Sequence, residues 1–97
     1  MAQFDVYRVA DGLILDCQAD LLADLPTRFT VPLEPIATAP RGAARLNPVL
    51  TVGSEQFMML TEFAGAVPRR SLSDAIGSLE GNEYDIKRAL DMLVSGI

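Results

Sequence analysis

The most constraining feature of this chain is an amphipathic run near its C-terminal end, residues 82–97. Apolar side chains recur there at i, i+3, i+4, i+7 and i+8, which is the spacing of one face of an α-helix. They are Ile86, Ala89, Leu90, Leu93 and Val94. Asn82 is a preferred N-cap, with Asp85 placed for a variant of the capping box, and Gly96 suits a left-handed helix end. A helix of about 13 residues is marginal in water, so we expect its apolar face to pack on the rest of the chain.

The preceding residues favour short strands. Runs of alternating or β-branched apolar residues occupy 4–9, 13–18, 28–33, 46–52 and 56–61. Asp11-Gly12 predicts a hairpin turn between the first two runs, and Gly53-Ser54-Glu55 predicts a three-residue turn between the last two. Five or so strands followed by one helix predict a mainly β domain, in which a small, strongly bent antiparallel sheet carries the helix across one side.

Three segments have no clear strand pattern. Residues 20–26 predict a loop that exposes the pair Leu21-Leu22. Residues 34–44 are rich in Pro, Ala and Gly and predict a surface loop. Residues 71–80 have helical spacing, but the stretch is short and a glycine interrupts it, so we predict an extended or irregular segment. Pro32 is compatible with the third strand only near its end or at a sheet edge.

Composition limits the possible functions. The 97 residues suffice for a single domain, residues 1–97, with one core. Thirteen acidic against eight basic residues give a net charge of −5, and no basic block is present. We therefore expect no direct binding to nucleic acid, which needs a basic face. The absence of histidine excludes the usual His/Cys metal sites and Ser/His or Cys/His nucleophiles, so no metal or cofactor is expected.

The single cysteine and the hydropathy pattern indicate a compartment. Cys17 has no partner for an intramolecular disulfide, which fits a reducing cytoplasm, and we expect it to be a buried core residue. The sequence shows neither a signal peptide nor an apolar run of 18 residues. We therefore expect a soluble cytoplasmic protein that does not contact a membrane.

Several short motifs, in a fixed order, resemble those of one protein family. They are Gln3-Phe4-x-Val6-Tyr7, Gln18-x-Asp20, Val31-Pro32-Leu33, Leu46-x-Pro48-Val49, Gly53, Met59, Val67-Pro68, and Asp85-Ile86-Lys87-x-Ala89 with Gly96-Ile97. Together they resemble the CcdB family of toxin–antitoxin toxins over nearly the whole chain. The resemblance implies a small SH3-like antiparallel barrel with a C-terminal helix, which forms a homodimer. Related toxins are extended at the positions that match 74–78.

The resemblance also implies a mechanism and a site. CcdB toxins are not enzymes; they bind the A subunit of DNA gyrase and trap its cleaved-DNA complex, and the antitoxin CcdA removes them. The gyrase-binding positions of the family map onto Leu21, Leu22, Asp91, Val94, Ser95, Gly96 and Ile97. The Gly-Ile ending matches the family, and the leucine pair replaces isoleucines.

Two of these positions depart from the family pattern. Prototype toxins end in Phe-Trp-Gly-Ile and carry asparagine where Asp91 stands, whereas this chain has Val94 and Ser95 and no tryptophan. A tryptophan at an interface centre contributes ≥2 kcal/mol in many complexes. Losing ~2–4 kcal/mol would weaken binding roughly 30- to 1000-fold. We therefore predict a family member with weakened gyrase binding.

Two alternatives remain open at this stage. One is a non-toxic or retargeted CcdB-like protein that only binds an antitoxin, which the changes at Asp91 and Ser95 favour. The other is an endoribonuclease of the MazF type, which shares the barrel and needs an arginine beside a serine or threonine in a basic groove. Arg69-Arg70-Ser71 could supply that pair, but the acidic net charge and the CcdB-like spacing argue against it.

Overall fold

Seven antiparallel strands and one α-helix make up the structure, a computed structural model that describes residues 1–97. The strands are β1 (Asp5–Val9), β2 (Gly12–Asp16), β3 (Thr27–Pro35), β4 (Val49–Val52), β5 (Glu55–Met59), β6 (Gly65–Pro68) and β7 (Gly77–Ser78), and the helix is α1 (Glu83–Ser95). The strand order is β4-β5-β3-β2-β1-β7, with β6 also on β3. The result is a nearly closed antiparallel barrel with one C-terminal helix, which confirms the predicted fold class.

The long strand β3 pairs with three other strands, although its interior contains Pro32. β2 lies along one edge of β3, while β6 pairs with residues 27–30 and β5 with residues 33–35 on the other edge. The carbonyl of Pro32 accepts a hydrogen bond from Leu60 N (2.9 Å) on that second edge. The proline nitrogen faces the same way, into the interval between β6 and β5, so no ladder hydrogen bond is lost there.

Both predicted hairpins exist, but each turn differs from the prediction by one residue. Val9 pairs with Gly12, so the loop is Ala10-Asp11 and not Asp11-Gly12. Likewise, Val52 pairs with Glu55, which leaves a two-residue loop, Gly53-Ser54, instead of three residues. The first loop residue has a positive φ in both hairpins, 46° at Ala10 and 64° at Gly53. That pattern belongs to a type II′ turn, which matches the twist of paired strands.

The sheet is covered on both faces. The main core holds thirteen buried apolar residues and includes Cys17, as predicted. They are Phe4, Val6, Leu13, Leu15, Cys17, Val31, Leu33, Leu50, Phe57, Met59, Leu79, Ile86 and Ala89. A second, smaller cluster on other positions of the same strands joins Tyr7 and Ile14 to Leu72. Because adjacent strand residues point to opposite faces, β1 and β2 are buried at successive positions and do not show a clean alternation.

Helix α1 begins and ends close to the predicted residues, but its start is built differently. Asn82 lies at the N-cap position and makes no side-chain capping hydrogen bond, so the predicted capping box with Asp85 is wrong. The chain instead enters the helix through a 3₁₀ turn, Glu80–Asn82. Gly96 ends the helix with φ 75°, and its N–H donates to the Met92 carbonyl, as the left-handed helix end requires.

The apolar face of α1 is only half used for packing. Ile86 and Ala89 are buried and Leu90 is partly buried against the main core. Leu93 is 43% exposed and Val94 is 81% exposed, so the predicted five-residue packing face is wrong for its last two members. The second half of the helix therefore projects past the core with apolar side chains in solvent.

The remaining differences concern short elements. The predicted strand 46–52 begins only at β4, and the predicted strand 56–61 ends with β5 and continues as a 3₁₀ turn, Thr61–Phe63. β6 was not predicted. The segment 71–80 is extended or irregular as predicted, and β7 within it pairs with the start of β1.

Candidate functional site

The end of α1 presents an exposed surface that contains five of the predicted site residues. Asp91, Val94, Ser95, Gly96 and Ile97 are all exposed, Val94 to 81% and Ile97 to 72%. The exposed apolar area here is attached to a helix whose first half is fixed in the core. A surface of this kind can contact a partner with little loss of backbone entropy, because its backbone is already ordered.

The predicted leucine pair lies on a second exposed segment, the 3₁₀ turn Asp20–Leu22. Leu21 is 93% exposed and Leu22 is 49% exposed. Two hydrogen bonds fix the turn to the rest of the chain. Asp20 Oδ1 accepts one from Gln3 N (2.8 Å), and Gln18 Nε2 donates the other to the Leu22 carbonyl (2.7 Å). The leucines are therefore presented by an anchored backbone.

Within one chain, the two exposed segments make no extensive contact. The helix contacts the 3₁₀ turn Thr61–Phe63 and buries Ile86 and Ala89 in the main core, while Asp20–Leu22 is anchored beside the start of β1. All seven predicted residues lie on the surface, but the structure does not bring them together into one pocket. Any partner that uses both segments must bridge them.

A buried ion pair supports the Asp20–Leu22 turn from within the sheet. Asp16 and Arg28 are both fully buried, and Arg28 Nε donates to Asp16 Oδ2 at 2.8 Å. The other oxygen, Asp16 Oδ1, accepts a hydrogen bond from Gln18 N at 3.0 Å. Arg28 Nη2 is 2.6 Å from Asp16 Oδ2, yet neither Nη1 nor Nη2 completes a hydrogen bond. The pair links β2 and β3 at the point where the chain leaves for the exposed turn.

Sequence reasoning missed this ion pair. Its partners are twelve residues apart and belong to different strands. The available signal was that Asp16 and Arg28 each fall inside a predicted strand, where charges are uncommon unless they are exposed or paired. The pairing itself depends on the strand register, which brings Asp16 opposite Thr30.

The buried thiol and phenol have no chemical activation. Burial, with a smaller contribution from the nearby Asp16 carboxylate, raises the pKa of Cys17 to about 12. Burial also raises the pKa of Tyr7, with smaller contributions from Asp5 and Asp16 in the same direction. A thiol with a raised pKa remains protonated and is a poor nucleophile at neutral pH. Cys17 is therefore a packing residue.

The alternative ribonuclease residues lie together in a short exposed turn. Arg69–Ser71 forms a 3₁₀ helix with no buried residue, and none of its side chains takes part in an ion pair or hydrogen bond. No group of three or more His, Cys, Asp or Glu side chains is positioned to hold a metal ion. The single α-helix lacks the length and apolar character needed to cross a membrane.

These features define a class of small, mainly β, barrel-like domains with one C-terminal helix and an exposed apolar helix end. Residues 3–96 match the sequence model of the family described as CcdB protein. The chain therefore belongs to the CcdB family. It is a toxin-like protein of a toxin–antitoxin system.

Proposed function

We propose that this protein is a toxin that acts by binding and not by catalysis, and that its target is the A subunit of DNA gyrase. The observation that carries the proposal is the exposed end of α1, where Val94 and Ile97 project into solvent from a helix that is anchored by Ile86 and Ala89. Gly96 and Ile97 match the Gly-Ile pair of prototype toxins. The second exposed segment, Leu21-Leu22, supplies further apolar contact area.

The proposed gyrase binding is weak. Ser95 cannot stack on a partner residue, whereas the tryptophan of prototype toxins can provide a central anchor. Asp91 is exposed and adds a negative charge where prototype toxins have a neutral amide. Binding an uncompensated carboxylate within an interface carries a desolvation penalty that an amide does not.

Calorimetry with the gyrase A fragment tests this proposal. The parent chain, Ser95→Trp, and the double variant Asp91→Asn with Ser95→Trp are titrated under one set of conditions. We expect weak or undetectable parent binding, a gain of about 30-fold or more for Ser95→Trp, and a further gain for the double variant. Phe63→Trp is the matched control, because Phe63 is 64% exposed but lies outside the site. Absence of binding by both the parent and the double variant would show that the gyrase site has been lost.

We propose further that the protein forms a homodimer and is bound by a CcdA-like antitoxin in the cytoplasm. Thirteen large apolar side chains are exposed in one chain, among them Leu21, Phe63, Val94 and Ile97. Extensive exposed apolar surface is typical of a protein that associates with partners. Sedimentation at micromolar concentration should give the mass of a dimer, and a monomer throughout would contradict the first part of this proposal.

A second candidate function is a CcdB-like protein that binds an antitoxin and no longer poisons gyrase. The observation that favours it is the pair of departures at Asp91 and Ser95. Induced expression separates the candidates: growth arrest with accumulating DNA breaks supports gyrase poisoning, and no arrest supports the antitoxin-only function. RNA cleavage without DNA breaks would support the endoribonuclease alternative instead.

A further inference from the structure

A cleft beside the first turns of α1 lies outside the surfaces described above. It has a volume of about 240 Å³ and opens between the helix and the loop that leads into β4. Its lining residues are Ala44, Arg45, Pro48, Val49, Asp85 and Arg88. Half of these residues are charged, two of them arginines, although the chain as a whole is acidic.

Neither arginine of the cleft is neutralised within the chain. The two ion pairs of the structure involve Arg28 and Lys87, and Arg28 is the arginine whose side chain donates a hydrogen bond. Asp85 borders the cleft but forms no ion pair with Arg45 or Arg88. The guanidinium groups therefore keep their donors available for a ligand.

Arg88 is also partly pre-positioned. Its guanidinium carbon lies 5.3 Å from the ring centroid of Tyr84, one helical turn earlier, in a cation–π contact. Such stacking uses the flat face of the guanidinium and leaves its N–H edge available for hydrogen bonds. Restricting the side chain before binding lowers the entropy lost when a ligand is captured.

We propose that this cleft binds one carboxylate, supplied by an acidic side chain of a peptide partner. Two guanidinium groups and one carboxylate give the cleft a net charge of +1, from two positive charges and one negative charge. That balance suits a monoanion, whereas Asp85 repels the second charge of a phosphate dianion. The planar N–H forks of Arg45 and Arg88 match carboxylate oxygens in geometry. The proposal depends neither on gyrase binding nor on toxicity.

The test is a nuclear magnetic resonance titration of the full chain with two blocked peptides. One is acetyl-Gly-Glu-Gly-amide, and the other carries Gln in place of Glu. We expect the Glu peptide to shift the backbone amides of Val49 and Asp85 saturably, with a roughly millimolar Kd. The Gln peptide should leave those amides unshifted, because it offers no charge to the guanidinium groups.

Matched variants locate the binding to the cleft. Arg45→Gln and Arg88→Gln should each weaken the Glu peptide about three- to tenfold. Arg70→Gln removes an exposed arginine outside the cleft and should change nothing. The proposal would be overturned if the two peptides bound equally, if neither gave a saturable shift, or if Arg70→Gln weakened binding as much as the cleft variants. Inorganic phosphate is titrated in the same way, and tighter binding of phosphate than of the Glu peptide would also overturn the proposal. None of these outcomes affects the gyrase calorimetry, so the two proposals fail separately.

Discussion

The two hairpin turns allow a direct test of the strand register. Ala10 and Gly53 occupy equivalent positions, the first residue of a two-residue loop with positive φ. Only glycine adopts that conformation without a steric penalty, which is about 1–2 kcal/mol for other residues. Ala10 therefore carries strain that Gly53 does not. The prediction is that Ala10→Gly stabilises the fold and Gly53→Ala destabilises it.

The magnitudes follow from two opposing contributions. Ala10→Gly removes about 1–2 kcal/mol of steric strain, while the greater freedom of glycine in the unfolded chain opposes this by about 0.4–1 kcal/mol. The expected net gain is roughly 0.5–1 kcal/mol. Gly53→Ala should give a loss of similar size by the reverse reasoning. No heavy atom lies within 4 Å of a Cβ built on Gly53, so a clash with neighbouring atoms adds nothing to this loss.

Gly12→Ala is the control that distinguishes the observed turn from the one that Asp11-Gly12 predicts. Gly12 is in β2, has no positive φ, and has open space around a built Cβ. Its replacement should stabilise the fold or leave it unchanged. Urea unfolding at one fixed protein concentration measures all three variants, because association would make the midpoint depend on concentration. Destabilisation by Ala10→Gly together with destabilisation by Gly12→Ala would refute the register.

Three further predictions concern the buried groups and the helix. Asp16→Asn should lower the free energy of unfolding by about 3–5 kcal/mol in urea titrations, because Arg28 is left buried without its counter-charge. Leu90→Asp should lower the free energy of unfolding by several kcal/mol, whereas Lys87→Ala should lower it by only about 0.3–0.5 kcal/mol. Equal urea midpoints for these two variants would show that the helix face is misassigned. Burial raises the pKa of Cys17 from 9.0 to about 12, so the folded thiol binds its proton more tightly. Stability should therefore decrease as the pH rises from 9.0 towards 12, and a Cys17→Ala variant should lose that part of the pH dependence.

Elements with strong local periodicity could be predicted from the sequence, and elements defined by distant contacts could not. The apolar spacing from Ile86 onward identified α1 because it repeats over several turns. β7, in contrast, is only two residues long, and its identity as a strand comes from pairing with Asp5 and Val6. Nothing within Gly77-Ser78 itself indicates that pairing.

The hairpin turns show why register is harder to predict than the presence of a hairpin. Asp-Gly is a strong turn signal, and for that reason the sequence predicts the loop at Asp11-Gly12. The observed register is different. It places Val6 opposite Leu15 and Tyr7 opposite Ile14, and all four residues are buried. With Asp11-Gly12 as the loop, Val6 would lie opposite Cys17 and Tyr7 opposite Asp16, so these residues would lose their observed cross-strand partners without changing faces. The contacts between the observed partners outweigh the strain at a single exposed alanine.

The sequence predicts that most residues of the candidate site are exposed. It does not predict which residues of the apolar helix face are buried and which are exposed. The spacing rule treats Ile86 and Val94 alike, since both lie on one apolar stripe. Which of them is covered depends on how far the barrel extends beneath the helix, and that distance is fixed by the whole sheet. Only the structure shows that Ile86 and Ala89 are buried while Leu93 and Val94 are exposed.

The apolar face of α1 is longer than the part that the barrel covers, and this difference bears on function. A helix that served only to close the barrel would need apolar residues as far as Leu90 and polar residues beyond it. Leu93 and Val94 continue the stripe into solvent, where an exposed apolar side chain adds nothing to folding and gains about 25 cal/mol per Å² only when a partner covers it. Asp91 and Ser95, the residues that depart from prototype toxins, lie among these side chains. Under the proposed function, the apolar residues supply the contact area, and Asp91 and Ser95 set how strongly gyrase binds.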